Sequence, residues 1–218
     1  MTKTHILFDL DGTLTDSGPG IVNGFKYAIA QMGREEPPLG VIRKFVGPPL
    51  KESFGIVLGY SPEDTDKAIA FYRTYYNGMG GVLENDLYPG VREMLEELKA
   101  AGKTLVIATS KGVNGTRVVL DHFDLRKYFD FVATANDMDR VTKADVIRYV
   151  IRECGITDLD SAIMVGDRRY DVEAAAEVGM DSMGITYGGY GTEEELRTAG
   201  ATYLANTPED AVKQILGL

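Results

Sequence analysis

Only one cysteine, Cys154, occurs in 218 residues, so no disulfide can close within the chain, a usage that fits a reducing compartment. Basic residues are outnumbered, 23 against 33 acidic ones, and the formal net charge is −10. They form no clustered run of the kind that grips a nucleic acid polymer or an anionic membrane, so neither partner is expected. An anionic substrate must then be held by a local positive site: a metal, a lysine or backbone N–H groups. Long apolar runs are also missing. The N-terminal one is broken by Asp9 and Asp11, too early for a signal peptide or a membrane helix, and a cytoplasmic protein is expected. There is no internal repeat and no low-complexity segment.

With 44% hydrophobic and 26% charged residues, a packed core is affordable. His5-Ile6-Leu7-Phe8-Asp9-Leu10 is an almost continuous apolar run, as in strands buried on both faces of a parallel sheet, and Asp11-Gly12-Thr13 ends it with a turn. Similar runs follow over 104–109, 129–133, 162–165, 182–186 and 202–205. Helical patterns lie between them. Val91, Met94, Leu95 and Leu98 share a face that Gly102 terminates, and Val146, Ile147, Val150 and Ile151 share another. This alternation predicts an α/β fold: a doubly wound parallel sheet with a Rossmann-like core. Residues 16–86 break it. Ile21, Phe25, Ala28, Ile29 and Met32 predict one helix, Ile42 and Phe45 a second, and Leu50, Phe54, Val57 and Leu58 a third. Ser61-Pro62 opens a fourth that continues through Ala68, Phe71, Tyr72 and Tyr75. The expected organisation is a core of 1–15 and 87–218 with a small α-helical domain, 16–86, inserted into it.

Parallel sheets place ligands beyond the carboxyl ends of their strands. Those ends carry Asp9, Asp11 and Thr13, then Thr109 and Ser110, then Lys143 at a helix start, then Asp167 and Asp171. Asp9 is the least comfortable of them. A carboxylate at the end of an apolar strand costs several kcal/mol of desolvation unless it is paired or binds a metal. A turn-forming role suits Asp11 and leaves Asp9 unexplained. Thr109 and Ser110 taken alone read as caps of the next helix, Lys143 alone as a solvated lysine, and Asp171 as a helix cap. Together the carboxylates read as a site for Mg²⁺, which takes oxygen ligands and keeps several waters. His5 and His122 read as structural, the tyrosines of the insertion as core, Arg168-Arg169 as a solvated pair, and Lys111 as leaving toward solvent or the inserted domain.

Asp9-Leu10-Asp11-Gly12-Thr13, Thr109, Lys143 and Gly166-Asp167-Arg168-Arg169-Tyr170-Asp171, in this order and over essentially the whole chain, resemble the haloacid dehalogenase-like hydrolase superfamily. The resemblance implies a Mg²⁺-dependent phosphatase in which Asp9 is the nucleophile and Asp11 the general acid and base. Thr109 and Lys143 then hold the phosphoryl group. Asp9, the backbone carbonyl of Asp11 and Asp167 are the implied metal ligands, supported by Asp171. The helical insertion corresponds to a cap. Phe45-Val46-Gly47-Pro48-Pro49-Leu50 resembles the cap loop of phosphoglycolate phosphatase-like enzymes, and Tyr187-Gly188-Gly189-Tyr190-Gly191 with Glu193-Glu194-Glu195-Leu196 resembles a tail shared with bacterial 5'-nucleotidases. Gly47, Lys51 and Ser110 join the implied substrate contacts, with Lys44 beside the loop. Ser110 stands where many relatives have Asn, and Thr142-Lys143-Ala144-Asp145 lacks the usual proline.

The partner implied is a small phosphorylated metabolite, best phosphoglycolate-like, with nucleoside monophosphates as the alternative; the protein is expected as a monomer or homodimer. A phosphosugar mutase shares every catalytic residue. A dehalogenase usually lacks an acid at position 11. A receiver-type signalling domain also pairs a phosphorylated Asp with Thr, Lys and Mg²⁺, but in a shorter chain with no insertion.

Overall fold

The structure, a computed structural model, describes residues 2–136 and 138–218. The chain opens with strand β1 (His5–Phe8) and leaves the core through β2 (Thr15–Asp16). Helices α1 (Gly18–Gln31), α2 (Leu39–Ile42) and α3 (Pro62–Arg73) follow, and the chain returns through β3 (Asp86–Leu87), which pairs with β2 as a two-stranded ribbon. Then come α4 (Val91–Ala100), β4 (Thr104–Gly112), α5 (Val113–His122), β5 (Phe131–Ala135), α6 (Lys143–Glu153), β6 (Ala162–Gly166), α7 (Arg169–Val178), β7 (Asp181–Ile185), α8 (Glu193–Thr198), β8 (Tyr203–Ala205) and α9 (Pro208–Gly217). Two compact units result, one of residues 1–15 and 87–218 and the other of residues 16–86.

The larger unit is a six-stranded parallel sheet in the order β5-β4-β1-β6-β7-β8, the doubly wound arrangement that the alternation predicts. Strand β1 is central, with Phe8 in register with Ile107 on one side and Val165 on the other. Its Ile6, Leu7 and Phe8 are fully buried, which is why it reads as an unbroken apolar run. One face packs Leu7, Val106, Ala108 and Met164 against Val146, Ile147 and Val150 of α6 and Ala174 and Ala175 of α7. Strand order reverses around β1, so the topological switch point falls at the carboxyl ends of β1, β4 and β6, where such folds bind their ligands.

Strand β5 begins two residues later than its apolar run does. The Asp130 side chain takes the ladder position, its Oδ2 accepting from Leu105 N at 2.9 Å while its own N donates to Leu105 O at 2.9 Å. Strand β4 runs three residues past Thr109, and its register with β5 jumps between Thr109↔Thr134 and Gly112↔Ala135.

The smaller unit is helical. Phe25 of α1 is its hub, with ring centroids 4.8 Å from Phe45, 4.7 Å from Phe54 and 5.1 Å from Tyr72. Tyr72 and Tyr76 are buried and stacked, so these tyrosines are core. Ser61 caps α3, accepting from Asp64 N at 3.1 Å. The third expected helix departs from its pattern. Glu52–Val57 winds as a π-helix, closed by Leu58 N donating to Ser53 O at 3.1 Å. That wider turn takes Val57 off the face of Phe54, leaving it 54% exposed.

Candidate active site

Asp9 follows β1 directly, and its N–H still donates to Val165 O of β6 at 2.9 Å, so the sheet itself fixes its backbone. The turn after it closes on Leu10 O, which accepts from Leu14 N at 2.9 Å and Thr15 N at 3.1 Å. Gly12 is obligatory there for two reasons. Its φ is +84°, which side chains resist, and a Cβ would overlap the Asp167 carboxylate. Thr13 is fully buried and its hydroxyl donates to Asp167 Oδ1 at 3.3 Å.

Asp9, Asp167 and Asp171, all buried, each bring a carboxylate oxygen within 4.8 Å of the others. Lys143 is the cation among them. It is the first residue of α6, whose start is fixed by a capping box: Thr142 Oγ1 accepts from Asp145 N at 3.1 Å, and Asp145 Oδ2 from Thr142 N at 2.9 Å. From there Nζ lies 2.8 Å from Asp9 Oδ1 and 2.8 Å from Asp171 Oδ1, and it donates to Ala108 O at 3.1 Å. It is therefore not the solvated lysine it resembles in isolation. Burial disfavours its charge, but Asp171 and Asp9 outweigh that and raise its pKa above the ordinary lysine value. Asp171 is the third residue of α7 and not its N-cap, which is Arg168; its Oδ2 accepts from Arg168 N at 3.2 Å.

One lysine does not balance three buried carboxylates. Burial, then the charges of Asp171 and Asp9, raise the Asp167 pKa well above the carboxylate range. Asp171 is pushed up to about 6 by burial, opposed by Lys143 and reinforced by Asp9. Asp167 Oδ2 is buried with no hydrogen-bond partner. A divalent cation taking oxygen ligands fits this arrangement, because it satisfies the orphan oxygen and the excess charge together.

Thr109, 1% exposed, is fixed inside β4 and does not cap α5, whose N-cap is Gly112; its hydroxyl accepts from Lys111 N at 3.1 Å. Ser110 is exposed. The Asp11 carboxylate does not join the other three. Lys111 Nζ donates to its Oδ1 at 3.0 Å and its Oδ2 at 2.9 Å. The Lys111 side chain is only 6% exposed, so it does not run to solvent, one of the two courses its place in the sequence allows. Arg168 is likewise no solvated residue: buried, it donates from Nε to Glu195 Oε1 at 3.0 Å, an acceptor shared with Arg169 N at 3.0 Å. Lys44, Gly47 and Lys51 belong to the helical unit, where both lysines are exposed.

The tail segment packs on both acid loops. Tyr187 Oη donates to Thr13 O at 2.8 Å and Tyr88 Oη to Gly188 O at 3.2 Å, with the two rings edge to face. A Cβ at Gly188 would overlap Gly12 O, and one at Gly191 would overlap Asp167 O. Burial and the Asp167 charge raise the Tyr187 pKa, which keeps the hydroxyl a donor. No periodicity reveals these contacts; the one signal is a tyrosine followed by closely spaced glycines.

The family described as haloacid dehalogenase-like hydrolase matches residues 6–185, which span every residue of the carboxylate cluster. The chain belongs to that family. Among solved structures, the crystal structure of a predicted phosphatase from Clostridium acetobutylicum has a TM-score of 0.94 and 42% identity, covering 100% of both chains. A 5'-nucleotidase of Pseudomonas aeruginosa is 35% identical over 97% of this chain and 95% of its own length. The tyrosine-protein kinase PtkA of Mycobacterium tuberculosis is 34% identical over 98% of this chain and 72% of its own length. As a member of the haloacid dehalogenase-like hydrolases, the protein is an enzyme of the phosphoric monoester hydrolase type. No helix among its described residues is long and apolar enough to cross a membrane.

Proposed function

We propose that this enzyme hydrolyses small phosphate monoesters through an aspartyl-phosphate on Asp9, with Mg²⁺ as cofactor. The observation that carries the reading is the position of Asp9: a buried carboxylate at the centre of the sheet, 2.8 Å from a buried lysine and beside two further carboxylates. Asp9 and Asp167 would hold the cation with their carboxylates, and Asp171, engaged by Lys143 and Arg168 N, supports them. When bound, Mg²⁺ supplies charge neutralisation for the phosphoryl oxygens.

Asp9 attacks phosphorus, forming its own P–O bond as the ester P–O bond breaks. Asp11 gives a proton to the departing oxygen. In the second step Asp11 takes a proton from water as that water attacks phosphorus, which releases phosphate and regenerates Asp9. Lys143 and Thr109 bind the equatorial oxygens, where charge accumulates. Two neighbouring acids divide the work because their surroundings differ: Asp9 faces Lys143 among carboxylates, and Asp11 faces Lys111 apart from them.

The helical unit, with Gly47, Lys44 and Lys51, is assigned to substrate choice. Phosphoglycolate-like two-carbon phosphates are the reading of its loop; the similarity to a 5'-nucleotidase favours nucleoside monophosphates as the second. A panel of phosphomonoesters assayed for free phosphate decides between them. Release from one class at a kcat/KM well above the rest assigns the substrate. Disappearance of ester without free phosphate, with the group recovered on a sugar or a tyrosine, would show that the acceptor is not water.

A further inference from the structure

We propose that Lys111 is a positioning residue that holds the Asp11 carboxyl group on the leaving-group side, away from the carboxylates grouped around Lys143. The inference rests on the general acid reading of Asp11 and adds the residue that aims it.

Four features of the larger unit support it. Strand β4 changes register between Thr109 and Gly112, and irregularities of this kind re-aim the side chains they carry. The Lys111 backbone is pinned within that stretch, its N–H donating to Thr109 Oγ1 at 3.1 Å and its carbonyl accepting from Thr116 Oγ1 at 3.4 Å. Its aliphatic stem lies against Gly115 on the first turn of α5, where a Cβ would sit 3.1 Å from Lys111 Cε and 3.6 Å from its Cγ. The ammonium then meets both oxygens of Asp11, at 3.0 Å and 2.9 Å.

Asp11 is two residues from Asp9, and a free carboxylate there is drawn to whatever cation the neighbouring acids bind. Of these two acids, Asp9 lies against Lys143, which also meets Asp171, and Asp11 lies against Lys111. Of the two carboxyls, only that of Asp9 enters the cluster with Asp167 and Asp171. When Asp11 passes its proton to the departing ester oxygen, Lys111 keeps the carboxyl aimed through the oxygen not engaged in the transfer. When Asp11 later accepts a proton from water, the contact to the other oxygen again keeps the carboxyl aimed. Lys111 thus acts through Asp11 and transfers no proton to the substrate itself.

The test uses leaving-group dependence, since protonation matters for an alkyl oxygen and little for 4-nitrophenolate. The measured quantity is kcat/KM, which reports formation of the phosphoenzyme, in the full-length enzyme with Mg²⁺ present. Lys111→Ala is expected to lose about 10²-fold on an alkyl phosphate, the scale of a small misplacement, and less than about threefold on 4-nitrophenyl phosphate. Lys111→Arg, which keeps the charge and offers a guanidinium fork able to pair with a carboxylate, is expected to recover most of the loss. Gly115→Val crowds the stem without removing the charge and is expected to show the same selectivity on a smaller scale. Equal losses on both esters in Lys111→Ala, or a rise in KM alone, would overturn the inference, because the lysine would then be binding substrate. Asp11→Asn is the control that separates the two readings. If it loses selectively on alkyl esters and Lys111→Ala does not, only the positioning role falls. If it shows no selectivity itself, the acid role of Asp11 falls, and the inference falls with it.

Discussion

Replacing Lys143 with Met keeps the buried volume and deletes the charge. In the native site Nζ lies 2.8 Å from Asp9 and 2.8 Å from Asp171, with 7% of the residue exposed. A preorganised charge aimed at developing oxyanions in a site closed to water is worth about 3–4 kcal/mol of transition-state stabilisation, which is a factor of roughly 10²–10³ in kcat. The loss should fall on kcat rather than KM, because the charge on the transferring group is concentrated in the transition state. The metal-free protein should also lose stability, by up to about 3 kcal/mol, since the deletion leaves buried carboxylates without their cation. Protonation of Asp171, whose pKa is already about 6 with Lys143 present, limits that cost. The assays are steady-state turnover at saturating substrate and Mg²⁺, and thermal unfolding with and without the metal. A variant within about threefold of wild-type kcat would refute the reasoning, because a cation in contact with the proposed nucleophile is worth far more than that in a buried site.

Two further outcomes follow from the same cluster and one from the helical unit. Asp167 and Asp171 carry raised pKa values, so above about pH 4 the metal-free native state holds protons that the unfolded chain has lost; their contribution to stability falls as pH rises, for Asp171 through a window that closes at about pH 6. Mg²⁺ binds the ionised carboxylates, so its effect on melting temperature should be larger near about pH 7.5 than near about pH 5, and equal shifts at both would contradict the site. Asp167→Asn should raise the melting temperature of the metal-free protein at neutral pH, by removing an acid whose ionisation burial and its carboxylate neighbours disfavour, and abolish the Mg²⁺-dependent rise; a lower metal-free melting temperature would count against the account. Exchanging 47–49, the Gly47-Pro48-Pro49 stretch, for glycine and serine should reorder substrate preference, and an unchanged ranking would exclude the loop from substrate choice.

The strand ends were legible because the chemistry is local to them. An apolar run ending in Asp9 or Asp167 announces both the strand and its uncomfortable carboxylate, and two-face burial of β1 and β6 is what makes those runs continuous. Cross-chain pairing was not legible. Lys111 meets Asp11 across 100 residues from the stretch where β4 changes register after Thr109, and Arg168 meets Glu195 through the packing of α7 with α8. The sequence alone therefore reads Arg168 as solvated and Lys111 as turned to solvent or to the inserted domain, whereas the folded chain leaves neither in solvent. Strand β5 was displaced for a smaller reason of the same kind: the Asp130 carboxylate stands in for a backbone partner, which no apolar pattern encodes. Val57 was misplaced because a 3.6-residue period does not describe a π-turn.

The most direct test of the central reading is to quench the enzyme during turnover of a good substrate, digest it, and locate the phosphoryl group by mass spectrometry. The account predicts one phosphoryl group on the peptide containing Asp9, labile to hydroxylamine as an acyl phosphate is, and absent from an Asp9→Asn variant that stays folded and does not turn over. A phosphoryl group on another residue, or an Asp9→Asn enzyme that releases phosphate near the wild-type rate, would contradict it.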